Sequence, residues 1–189
     1  MPFYVKQGQI PAQRHTVFRK PDHTLYAEEL VSTHGFSSLY SLVYHCHPPT
    51  LVKQIREPYD VTPKIAREKH LKHTSLKGFQ VQAKDDYLES RTPVLVNQDL
   101  HISLAAPRQS MTDYFYKNSQ ADEIIFVHQG TGKLKTGYGS IPFQYGDYLV
   151  VPRVQFTRWN LIRQTTDCLL LSRFRRYVRQ SGIVMNLAS

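Results

Sequence analysis

The sequence predicts a mainly β fold, an antiparallel sandwich or jelly roll that ends in an irregular C-terminal tail. Three observations predict it. Apolar runs of strand length recur between turn residues along much of the chain. Four of them follow one another at regular spacing between residues 122 and 153, as they do in small sandwiches and barrels. The composition is that of an ordinary globular protein: 189 residues, 41% hydrophobic, 21% charged, with 12 Tyr and 9 Phe. That length suits one domain, or one large domain with appendages.

The elements follow in order. Residues 1–35 are polar and turn-rich, punctuated by Pro2, Gly8, Pro11 and Pro21-Asp22. A short strand is expected near Tyr26–Val31. Residues 39–47 alternate as a second strand, which Pro48-Pro49 ends. Residues 51–60 read as strand then loop, and Pro63–Leu76 as a weak helix or a loop. Phe79–Ala83, Pro93–Asn97 and His101–Leu104 read as strands. Ile124–His128 is a buried-type strand. Gly130-Thr131-Gly132 is a tight turn, Lys133–Thr136 the return strand, and Gly137–Ser140 a further turn. Gly146-Asp147 carries a hairpin signal before Tyr148–Val151, which Pro152 terminates. Asp167–Phe174 can form one more strand, and Arg175–Asn186 reads as disordered.

The net charge of +9 suggests an anionic partner, but its distribution weakens that reading. Residues 154–189 hold six Arg, one Asp and no Lys or Glu, so this short segment carries +5 of the total. The first 153 residues carry only +4. The charge is a property of the tail rather than of a shaped face. No specific nucleic-acid partner is expected; an unstructured basic tail binds polyanions weakly, with strong salt dependence. Cys46 and Cys168 are too few for a disulfide scaffold. Residues 1–10 lack the apolar region of a secretory signal, and no apolar stretch approaches the ~20 residues that span a bilayer. No membrane association and a cytoplasmic location are expected.

Two constellations bear on chemistry. In the first, Glu123 precedes Gly130 by six intervening residues, and Gly146 precedes Pro152 by five. With Gly132 and Asp147, these residues resemble the cupin repeat, whose glycines permit the bends of a small jelly roll. Metal-binding cupins carry two His just before that Glu and a third after the Pro. Here residues 116–120 are Tyr-Lys-Asn-Ser-Gln, and no His follows Pro152. Glu123 therefore reads as structural or surface-lying, in a cupin architecture without a metal site. The second constellation is His45-Cys46-His47. On one strand, His45 and His47 would share a face, as paired metal ligands do. Against that, they can sit at a strand end held by hydrogen bonds, and His34, His70 and His73 offer no ligand-like spacing for a third donor. Cys46 has no base beside it except those His. His128 lies in an apolar strand and reads as a core or cavity-facing residue.

Residues 1–153 as a whole resemble the N-terminal half of bacterial-type homogentisate 1,2-dioxygenase. The resemblance is carried by R-H-x-x-F-R-K-P from Arg14, Y-H-x-H-P-P-T from Tyr44, and A-D-E-x-I-F-x-H-x-G-x-G from Ala121. It implies a two-part, cupin-like subunit that opens the ring of homogentisate with O2 and Fe(II) to give maleylacetoacetate, in tyrosine and phenylalanine breakdown. It also implies a homo-oligomer, a trimer or paired trimers. The family's iron ligands, two His and a Glu, lie in its C-terminal half. Their signature segment is not in this sequence, so no residue here inherits a catalytic, cofactor-binding or metal-binding role.

The resemblance stops at Val154. Read one base earlier, Trp159-Asn160 (TGG-AAY) forces a Glu codon, and Met185-Asn186 forces another. Permitted codons elsewhere spell GTIYQMEFDTPDNRL and FSPVRTAKRYRNESGQ, which resemble the family's continuation. Residues 154–189 are therefore expected to be a frameshifted reading with one base lost near the Arg153 codon. The chain then reads as a truncated dioxygenase fragment, inactive alone and with no Fe(II) bound. The alternatives are a stand-alone cupin-like module binding a small molecule in its β interior, and a basic polyanion-binding protein.

Overall fold

The computed structural model describes residues 12, 17–32, 40–48, 55, 57–66, 70, 72–162 and 168–174. The chain forms two compact units, Met1–Lys53 and Gln54–Ser189.

The first unit holds a two-stranded antiparallel sheet. Strand β1 (Ala27–Ser32) pairs with β2 (Tyr40–His45), with Ala27 opposite His45 and Ser32 opposite Tyr40. Leu30 and Leu42 face each other across the pair, and Phe18 meets the Tyr44 ring edge-on at 4.8 Å. Both strands match the expected segments. The second stops two residues sooner than expected, so Cys46 and His47 lie in a bend rather than on the strand.

The second unit is an antiparallel β-sandwich. Its strands are β3 (Thr92–Val96), β4 (Leu100–Ala105), β5 (Tyr116–Lys117), β6 (Ala121–Val127), β7 (Gly132–Thr136), β8 (Gly139–Phe143), β9 (Tyr148–Val151), β10 (Phe156–Leu161) and β11 (Cys168–Phe174). They make a four-stranded sheet ordered β5-β10-β7-β8 and a five-stranded sheet ordered β3-β4-β11-β6-β9. Every pairing is antiparallel.

Strict alternation explains how the sheets enclose one core. On β6, Ala121, Glu123, Ile125 and Val127 point inward, while Asp122, Ile124 and Phe126 point out. On β9, Leu149 and Val151 point inward; on β10, Thr157 and Trp159 do. Ile125, Val127, Leu149 and Val151 of one sheet meet Leu134, Phe143 and Trp159 of the other. Trp159 stacks on Tyr87 at 4.3 Å and meets Phe143 edge-on at 5.1 Å. Burial of each large apolar side chain contributes about 1.5–3 kcal/mol, so this aromatic centre carries much of the sandwich's cohesion.

Several expectations change. The segment Phe79–Ala83 is not a strand: Gly78–Gln80 is a single 3-10 turn. The described residues of 51–60 and of Pro63–Leu76 contain neither strand nor helix, and the rest of both segments lies outside the described residues. Gly146-Asp147 does not close a hairpin. Strands β8 and β9 belong to different sheets, and the same is true of β6 and β7 on either side of Gly130-Thr131. Both turns are corners that carry the chain from one sheet to the other, whereas β3–β4 and β7–β8 are hairpins within one sheet. Such sheet-switching corners are what turn a meander into a jelly roll.

Two strands lie beyond Arg153. β10 sits between β5 and β7, and β11 sits between β4 and β6. The expected strand at Asp167–Phe174 is therefore β11, whereas β10 is new. Residues 175–189, including the segment expected to be disordered, lie outside the described residues. Among the described residues no helix is long and apolar enough to cross a membrane.

Candidate functional site

A buried polar cluster of the sandwich surrounds Glu123. Its side chain is only 2% exposed, on the inner face of β6. Its Oε1 accepts from the Tyr116 hydroxyl at 2.7 Å, Asn118 Nδ2 at 3.0 Å and Arg91 Nη1 at 3.3 Å. Arg91 also donates to the Tyr116 hydroxyl at 2.8 Å, and its guanidinium lies over the Tyr116 and Tyr87 rings at 5.3 and 5.8 Å. Burial works against the Arg91 charge, but the Tyr87, Tyr116 and Glu123 side chains more than offset it and hold the group protonated. Burial pushes the Tyr116 hydroxyl above its ordinary range, and Glu123 adds to that. It remains a neutral donor.

A second cluster lies nearby in sequence. Asp86 caps the turn that follows it, accepting from the Leu88 and Glu89 N–H groups at 3.0 and 3.2 Å. Its other oxygen takes the Tyr114 hydroxyl in a short hydrogen bond. Burial and then the Asp86 contact push the Tyr114 hydroxyl well up. His101, on β4, is held below its ordinary value by burial and by the positive Arg91.

The repeat residues occupy positions that shape the chain. Gly130 adopts a φ of 96° at the corner after β6. Gly132 is buried at the start of β7, where a Cβ would lie 2.5 Å from the Asn160 carbonyl oxygen and closer still to the Phe143 ring. Only glycine lets β7, β8 and β10 approach so closely. Gly146 adopts a φ of 88° and donates to the Val127 carbonyl at 2.8 Å. Asp147 accepts from the Gln144 N–H at 2.8 Å, which sets the second corner. Pro152 is exposed and follows β9.

His45 Nε2 lies 2.7 Å from Glu29 Oε2 across the β1–β2 pair. His47 is exposed beyond the strand end, so the two imidazoles do not share a strand face. His70 and His73 are exposed, and His34 lies outside the described residues. Cys46 is exposed with a free thiol. His128 is half-buried, its ring 6.3 Å from those of Phe126 and Tyr145.

Among the described residues no group of three or more His, Cys, Asp or Glu could hold a metal ion. The Fe(II) that the resemblance implies needs two imidazoles and a carboxylate free to converge. Glu123 Oε1 is instead taken by three donors, and no imidazole contacts it among its named partners. These residues do not fit the iron. What the Glu123 cluster does chemically is tie β5, β6 and the turn before β3 together.

The sequence reading located Glu123 but missed its partners. Arg91 stands 32 residues away and belongs to no motif. In the sequence, Tyr116 and Asn118 stand out only as positions where a metal-binding repeat has His. A cue existed: a strand-borne Glu on the buried side of an alternating pattern needs a cation or several donors.

Over 153 residues the chain is similar to a dioxygenase-class protein. That relative, the "Putative dioxygenase" of Saccharolobus solfataricus, is 37% identical. The match takes in 81% of this chain and 40% of the relative, so the chain spans well under half the length of the protein it matches. No family model matches. Similar solved structures include a cupin-2 domain protein of Shewanella frigidimarina, 15% identical, covering 44% of this chain and 79% of that one, with a TM-score of 0.39. A cupin protein of Bacteroides fragilis is 15% identical, covering 63% and 99%, with a TM-score of 0.41.

Proposed function

We propose that this chain is the β-sandwich part of a ring-cleaving dioxygenase of the homogentisate type, and that it supplies scaffold rather than iron ligands. The observation that carries the reading is the 37% identity to the Saccharolobus protein, of which this chain spans 40%. The motifs at Arg14, Tyr44 and Ala121 support the homogentisate assignment within that class. The use of Glu123 as a structural anchor supports the scaffold role. In this reading Fe(II), O2, homogentisate and the oligomeric assembly belong to a longer polypeptide of the same family.

Two measurements test it. The purified 189-residue chain, given Fe(II), O2 and homogentisate, is expected to form no maleylacetoacetate; ring cleavage at an enzymatic rate overturns the scaffold role. In the coding DNA, one base inserted near the Arg153 codon is expected to open a frame that continues the resemblance. The polypeptide from that frame is expected to cleave homogentisate when loaded with Fe(II). If no such frame exists, β10 and β11 are native strands and the frameshift reading fails. Failure of the longer polypeptide to cleave the ring would overturn the homogentisate assignment.

A further inference from the structure

The fold gathers positive charge that the sequence scatters. Strands β5, β7, β8 and β10 make one sheet, and they contain four Lys or Arg and no Asp or Glu. Tyr116, Leu134 and Trp159 pack inward. Alternation therefore sets Lys117, Lys133, Lys135 and Arg158 together on the outer face. Lys135 stands directly opposite Arg158. Like charges placed opposite each other weaken a ladder, yet among the described residues no carboxylate pairs with any of the four. Three of them precede Val154, so most of this charge is independent of the tail.

Aromatic rings alternate with these cations. Lys117 stands opposite Phe156, its Nζ 4.7 Å from the centre of the ring. The Arg158 guanidinium lies over the Phe115 ring at 5.8 Å. Both rings are half-buried, and both belong to the outward set, since Tyr116 and Trp159 occupy the inward one.

We propose that this face binds single-stranded nucleic acid, with phosphates on the four cations and bases stacked on Phe115 and Phe156. Three features choose that occupant. A positive face without carboxylates attracts an anion, and cations two residues apart on a strand recur at about 7 Å, which suits a chain of repeated anions. The rings offer π-faces, on which a base stacks and an acidic peptide gains nothing. A four-stranded sheet is also too broad for a duplex groove, which admits a helix or a two-stranded ribbon. The chain itself does not supply the counter-charge. A second copy brings the same cations, and the residues outside the described set hold ten Lys or Arg against Glu68 and Asp167. An acidic protein segment, one from a longer relative included, is the competing occupant.

Fluorescence anisotropy of the full chain with a labelled oligothymidine of about 20 nucleotides tests this. Wild type is expected to bind, more weakly as salt rises. Lys133→Gln with Lys135→Gln is expected to weaken binding about tenfold and to lower the slope of log affinity against log salt by about 1.4. Lys117→Gln, on another strand, is expected to lower it by about 0.7. Phe156→Ala is expected to weaken binding by about fivefold or more with the slope unchanged, as lost stacking requires. Each variant should keep the near-ultraviolet signature of the Tyr87–Trp159 stack. No binding by wild type overturns the proposal, as does binding that the Lys133 and Lys135 pair leaves unchanged, which assigns it to the Arg-rich tail. So does a Phe156→Ala chain that binds like wild type. Polyglutamate that displaces the probe as readily as unlabelled oligothymidine also overturns it and gives the face to an acidic protein segment. None of these outcomes depends on whether the chain or its longer relatives cleave an aromatic ring.

Discussion

At the scale of single residues, Glu123 shows how a motif position acquires a role. Its carboxylate is buried and pays for that burial with three donors, one of them the Arg91 cation. Arg91→Met should therefore destabilise the fold by about 3–5 kcal/mol, because it strands a buried charge. Coupling it to Glu123→Leu should recover a large part of that loss, as measured by urea unfolding of the single and double variants. Gly132→Ala forces the Phe143 ring and the Asn160 carbonyl apart and should cost about 1–3 kcal/mol or more, while Gly146→Ala meets no neighbour and strains only the backbone. His101 gives a pH dependence of definite sign. Its folded value lies below the ordinary 6.5, so the unfolded chain binds more protons in the window just below that value. Its contribution to stability is complete above about 6.5 and declines as the pH falls through the folded value. Urea midpoints should accordingly rise with pH across this window, and His101→Gln should flatten that rise.

At the scale of elements, β10 and β11 matter most, because each is a central strand. Without β10, β5 loses its sheet and β7 loses a partner; without β11, β3 and β4 separate from β6 and β9. A chain ending at Arg153 should thus fail to unfold cooperatively and should bind a hydrophobic dye, whereas the 189-residue chain should show a single transition. A sharp transition in the shortened chain would mean that the sheets do not need these strands. Within β10, Trp159→Ala should cost about 3–5 kcal/mol, since it empties the centre of the aromatic core. The strands themselves are readable: β1, β2, β3, β4, β6, β7, β9 and β11 fall on their expected segments. The failures have causes. β5 is too short to show alternation, and β10 hides its pattern because its inward residues include Thr157 and its outward ones an Arg. Phe79–Ala83 has strand-like composition but is bounded by a turn that uses Gly78.

At the scale of the whole molecule, residues and spacings alone specified a β-rich chain, its turn glycines, the motifs that carry its resemblance to a dioxygenase, and the concentration of positive charge after Arg153. All of these are local: alternation has a period of two, a turn needs glycine where φ is positive, and a motif is a string. Which sheet each strand joins is not local. The chain's own text makes Gly130 and Gly146 look like hairpin turns, and only the packing of two sheets around Trp159, Tyr87 and Phe143 makes them corners. The same packing turned Glu123 from a possible ligand into an anchor, because its partners come from residues 91, 116 and 118 on separate elements. It also made β10 and β11 interior strands, since edge or centre is a property of neighbours that lie far apart along the chain.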